Sequence, residues 1–146
     1  MRISQRDFLV TGNLNGIALG STVGLITELL GAPTDTGGTS RRHRRPSIYV
    51  YGNIEFFVHQ KPPFTCFAIW WYSKRGEFIL VEGESAIDVI LHPGMSKVDV
   101  IDALHHANIE FIEELDQPSP TLVVPNGARL VFNDGLILYA VYSWMR

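Results

Sequence analysis

Apolar positions recur at helical spacing in two separate stretches. In residues 20–31, Ile26, Leu29 and Leu30 share one face of a predicted helix, Thr22 offers a hydroxyl cap, and Gly31 with Pro33 ends the run. In residues 94–104, Val98, Ile101 and Leu104 share a face behind a Ser96 cap, Asp99 completes a capping-box pattern, and Asn108 is the nearest stop. Each helix spans only about three turns, too short to persist alone in water, so each must pack on something. A shorter leading helix is expected at residues 4–13 around Phe8, Leu9 and Val10.

Elsewhere the pattern is that of strands. Residues 47–51 and 54–58 are rich in β-branched and aromatic side chains and flank Gly52-Asn53, a pair suited to a two-residue hairpin turn. Residues 66–72 and 78–81 form a second predicted pair across the polar turn Ser73-Lys74-Arg75-Gly76. After an expected strand at 86–91, further strands are predicted at 120–124, 128–132 and 136–142, separated by Asn126-Gly127 and Asn133-Asp134-Gly135. Residues 34–40, dense in Gly, Thr and Ser, are expected to be a flexible loop.

The two helices and their hairpins repeat. Adding 74 pairs Gly20 with Gly94, Thr22 with Ser96, Ile26 with Val100 and Leu30 with Leu104, and sets residues 46–50 against 120–124. Gly52-Asn53 is then answered by Asn126-Gly127; the offset also sets Trp70 on Trp144, but the intervening loops differ in length and leave that match open to being accidental. The expected fold is an α+β domain over residues 1–146, made of two tandem units of about 14–82 and 86–146. Each unit is a helix followed by an antiparallel meander, with the helices packed on one face of the sheet and the other face open.

Composition narrows the class. A chain of 146 residues, 46% hydrophobic and 18% charged, is not disordered and needs no metal or disulfide to hold its core. The first residues lack an apolar signal core, no apolar run approaches a membrane span, and Cys66 has no partner cysteine, so a soluble cytoplasmic chain is expected. Net charge is −3, but residues 1–76 hold nine Lys/Arg against four Asp/Glu, and residues 77–146 three against eleven. Such polarity favours oriented encounter with a charged partner, or pairing between the halves, over wholesale nucleic-acid binding.

Three sets of side chains are candidates for chemistry. Arg41, Arg42, Arg44 and Arg45 form a dense basic loop suited to an acidic protein surface or a phosphate, and the counterpart loop Glu113-Glu114-Leu115-Asp116 is acidic. The two could grip one another, within the molecule or across a dimer. In the run Trp70-Trp71-Tyr72 neighbouring side chains must point to opposite sheet faces, so one of Trp70 and Trp71 faces away from the helices and can anchor a partner. Cys66 with His59 as nucleophile and base is an alternative, without a strained elbow or a third orienting group. The five histidines form no metal-ligand spacing, and no cofactor is expected.

The doubled unit of about 75 residues resembles the architecture of the bacterial β-lactamase inhibitor protein. The Gly-Ser-Thr start and Leu-Leu-Gly-Ala-Pro stop of residues 20–33 are similar to the helix signature of small outer-membrane assembly lipoproteins and of small immunity-type proteins. This chain departs from them in having no secretion signal or lipid-attachment cysteine near its start and no disulfide pair. The resemblance implies a non-catalytic bacterial protein of the inhibitor or immunity type that neutralises a protein partner, with Arg41, Arg42, Arg44, Arg45, Trp70, Trp71 and Tyr72 as the candidate partner-binding residues. The alternatives are a homo-oligomeric structural module and a small enzyme using Cys66 or a histidine.

Overall fold

The computed structural model describes residues 5–72, 91 and 94–145. In chain order these form α1 (Gln5–Thr11), α2 (Val23–Leu30), β1 (Asp35–Gly37), β2 (Ile48–Tyr51), β3 (Ile54–Val58), β4 (Cys66–Tyr72), α3 (Lys97–His106), β5 (Ile112–Glu114), β6 (Thr121–Val123), β7 (Arg129–Phe132) and β8 (Leu138–Trp144). The strands join one antiparallel sheet in the order β1-β2-β3-β4-β8-β7-β6-β5. The fold is therefore α+β. Outward from the β4–β8 seam, each side continues through its own strands in reverse chain order to a three-residue edge strand.

Local chemistry explains the helix starts. Thr22 and Ser96 sit in extended conformation at the caps, and their hydroxyls accept from Leu25 N at 3.2 Å and from Asp99 N at 3.1 Å. The first amide of each helix is taken by a distant carbonyl, Val23 N donating to Phe64 O and Lys97 N to Leu136 O. Phe64 and Leu136 both adopt left-handed backbone, with φ of 55° and 57°. Helix α2 ends at Gly31, and α3 at Ala107 followed by Asn108, whose φ is also positive.

The strands carry matching irregularities. Register shifts between Phe57 and Val58 on β3 and between Val131 and Phe132 on β7. The extra residue lies on the neighbouring strand: Phe67 falls between the partners Cys66 and Ala68, and Tyr139 between Leu138 and Ala140. Along β4 and β8 the buried positions coincide when Cys66 is set against Leu138, which places Trp70 against Tyr142. This alignment is offset by 72 residues, two fewer than the 74 between the helix caps, so it does not set Trp70 on Trp144.

One apolar cluster draws on the whole described chain. Phe8 and Leu9 of α1, Ile26 of α2 and Val100 and Leu104 of α3 share it with Ile54, Phe56, Ile69, Trp71, Leu130 and Val141 of the sheet. The expected helix faces were partly wrong. Leu29 is exposed, Val98 is 68% exposed, and Val100, not Val98, is the fully buried valine of α3. Two side-chain amides fasten α1. Asn126 Nδ2 donates to the carbonyls of Phe8 and Leu9, and Gln5 exchanges two hydrogen bonds with the backbone of Leu91. The strands expected at 78–81 and 86–91 lie outside the described residues, apart from the buried Leu91. The edge strands β1 and β5 were not expected, since their short polar sequences lack any alternation.

Candidate functional site

Strand register sorts the sheet's side chains into two sets. Ile54, Phe56, Ile69 and Trp71, linked through the pairs Ile54–Trp71 and Phe56–Ile69, are buried in the apolar cluster. Their neighbours in sequence, Phe57, Trp70 and Tyr72, lie on the opposite face and keep part of their surface in water. Across the seam, Trp70 stands opposite Tyr142 and Ala68 opposite Trp144, which extends that second face onto β8.

The second face carries a continuous band of rings. From one end, His59 lies 4.8 Å from Phe67, Phe67 is 6.4 Å from Phe57, and Phe57 is 5.8 Å from Trp70. Trp70 stacks on Tyr142 at 4.7 Å with planes 19° apart, and Tyr142 meets Trp144 edge-on at 6.2 Å. A branch runs from Trp70 through Tyr72 to Tyr139. Trp144 is 51% exposed and Tyr139 is also open to solvent. Beside the stack a pocket of about 180 Å³ opens between Trp70, Tyr139 and Tyr142 and the segment Gln117-Pro118-Ser119.

Arg129, on β7 opposite Tyr142, is buried and bonded to Glu114, which raises its pKa further and keeps the guanidinium charged. Glu113 is bonded to Lys97.

The sequence candidates fare differently. Trp70 and Tyr72 lie in the ring band. Trp71 does not: it is 1% exposed, packs at 5.1 Å against the Phe8 ring, and belongs to the core, because its partners Ile54 and Val141 both face inward. Arg41, Arg42, Arg44 and Arg45 are all exposed in the loop between β1 and β2. They do not meet the acidic loop within the molecule. With strands about 4.8 Å apart, the edges β1 and β5 of an eight-stranded sheet stand on the order of 30 Å from each other.

Cys66 is fully buried, its thiol donates to Ala68 O, and burial pushes its pKa up to about 12. A thiol held protonated in the core is a poor nucleophile. Of the histidines, His43 and His59 line one open pocket with Gln60, Lys61, Pro62 and Pro63, an association that the sequence spacing had not suggested. His105 and Phe111 line another beside Asn108. Among the described residues no three His, Cys, Asp or Glu side chains converge on a metal position, and no helix is long and apolar enough to cross a membrane. Comparison with protein-family models, with curated proteins and with solved structures finds no match to this chain.

Proposed function

We propose that the chain is a bacterial, non-catalytic protein-binding module of the inhibitor or immunity type, acting in the cytoplasm. In this reading two tandem units lay their helices over one face of the sheet, and the other face engages a protein partner. The observation that carries it is the band of rings from Phe67 through Trp70 and Tyr142 to Trp144, which lies outside the apolar cluster. Aromatic side chains on paired strands lose little conformational freedom on binding and bury large areas, which is why they dominate interface energetics. The tandem reading is supported by the matched caps, the left-handed Phe64 and Leu136, and the equivalent register shifts. The basic loop at the β1 edge would steer an acidic partner toward the face.

The test begins with the protein that co-purifies with the tagged chain from its native cell, reconstituted from pure components. Trp70→Ala and Trp144→Ala should each weaken that complex by about 2 kcal/mol, some thirty-fold. Replacing Arg41, Arg42, Arg44 and Arg45 together by Gln should slow association and flatten its salt dependence. Unchanged affinity in both tryptophan variants removes the sheet face from the account.

A second reading, a homo-oligomer joined through the same rings, is favoured by the position of the Trp70–Tyr142 stack at the seam, about which the band is arranged on both sides. Light scattering separates the two. A mass that rises with concentration and reverts to monomer in Trp144→Ala supports self-association, and a monomer at every concentration excludes it.

A further inference from the structure

We propose that the pocket between the β1–β2 loop and the β3–β4 connection is an anion site that takes the phosphate group of a small molecule, independently of the sheet face. His43 comes from the first segment, and His59 and Lys61 from the second, yet all three line one pocket of about 460 Å³. Among the described residues no carboxylate lines it. That volume lies within the range of small-molecule sites, which run from about 300 to 1,000 Å³.

The basic loop that carries His43 is held against the β3–β4 connection. Four guanidiniums and a lysine in so short a compass repel one another, and an untethered loop would spread into solvent. Instead the Gln60 side-chain amide donates to Gly38 O at 2.9 Å and to Arg45 O at 2.8 Å, clasping both ends of the loop. Ser40 closes the middle: its amide donates to His43 O at 2.8 Å and its hydroxyl accepts from His43 N at 3.1 Å. The Arg45 guanidinium lies 3.9 Å over the Phe64 ring. Gly38, at φ +77°, passes so close to Ser47 that an added Cβ would fall 1.8 Å from its hydroxyl. These contacts hold the segment that carries His43 against the one that carries His59 and Lys61 before any ligand arrives.

The donor set suits phosphate. Two imidazoles and an ammonium, carried on two segments, offer more N–H donors than a planar carboxylate can use and enough for the three oxygens of a phosphate group. The site lies at the end of the ring band, where His59 meets Phe67, so a ring attached to the phosphate would have a surface to lie on.

The experiment follows the histidine side-chain resonances of the full chain by NMR, with inorganic pyrophosphate as one probe and a nucleoside monophosphate as the other. Saturable shifts at His43 and His59 are expected, and the tighter of the two probes tells whether the free anion or its ester is preferred. Lys61→Gln and His59→Gln, both exposed positions, should each weaken binding about ten-fold. Lys97→Gln, in the other half, should not, and neither should Trp144→Ala, which separates this site from the sheet face. Shifts that never saturate, or an equal loss in Lys97→Gln, would mean screening of net charge alone and would overturn the proposal. So would binding of a single-stranded oligonucleotide with no response to either small phosphate.

Discussion

Alanine at Trp71 and alanine at Trp70, made separately, measure the difference between the two faces of the sheet. Trp71 is 1% exposed, stands between Ile54 and Val141, and has the Phe8 ring 5.1 Å away. A buried tryptophan hides about 150–250 Å², which at about 25 cal/mol per Å² is a transfer term of roughly 4–6 kcal/mol. Observed large-to-small losses of this kind run about 3–5 kcal/mol. Trp70 touches the rings of Phe57, Tyr72 and Tyr142, but part of it already faces water, and its removal leaves a dent that solvent fills instead of a sealed cavity. Its stacking and partial burial amount to about 1–2 kcal/mol. Urea unfolding followed by far-ultraviolet circular dichroism, with m held common, reads both values. In a chain of this size each kcal/mol lowers Tm by about 2–4 °C, so Trp71→Ala should fall by roughly 6–20 °C. If Trp70→Ala is as damaging as Trp71→Ala, or Trp71→Ala loses less than about 1 kcal/mol, the assignment of the faces is refuted.

Further expectations concern polar groups. The Cys66 thiol keeps its proton up to about pH 12 when folded, against 9.0 as its ordinary value, so the unfolded chain releases a proton first and stability falls as pH rises above 9. The decline from this thiol should be about 1.4 kcal/mol per pH unit and should be absent between pH 9 and 10 in Cys66→Ala, as measured by urea titrations; above pH 10 the buried Tyr51, whose pKa is also raised, adds a fall of its own. Asn126→Ala removes both donors to the α1 carbonyls and should cost about 1–3 kcal/mol; hydrogen exchange at Gly12, whose amide bonds to Phe8 O, should accelerate. Glu114→Ala strips the acceptor from the buried Arg129 guanidinium and should cost about 2–4 kcal/mol in thermal melts, with Arg129→Met in the same background restoring part of the loss.

The strands rich in β-branched and aromatic side chains were legible: β3 and β4 begin and end where the sequence placed them. The helix caps were legible for the same local reason, since a hydroxyl ahead of an apolar run needs no distant partner. What could not be read was whatever depends on pairing. β1 and β5 are strands only because Val50 and Val123 lie beside them, and which tryptophan turns inward follows from register with Ile54 and Val141. The apolar residues of α3 fit more than one face, and Val98 against Val100 was decided by contact with the core. Similarly, Lys61 and His59 join the basic loop only because the β2–β3 hairpin folds back on itself.

The sheet keeps the edges of its most association-prone strands paired, so that no strand of another chain can add to them. Among the described residues Cys66–Tyr72 and Leu138–Trp144 are the longest strands and are rich in rings, and each is shielded along both sides by neighbours. The outermost strands, by contrast, offer only three residues each, with Asp35 on one and Glu113 and Glu114 on the other, too short and too charged to template growth. Heat or mutation that peels either half from the middle therefore uncovers a sticky ribbon, and clumping should begin there instead of at the rim.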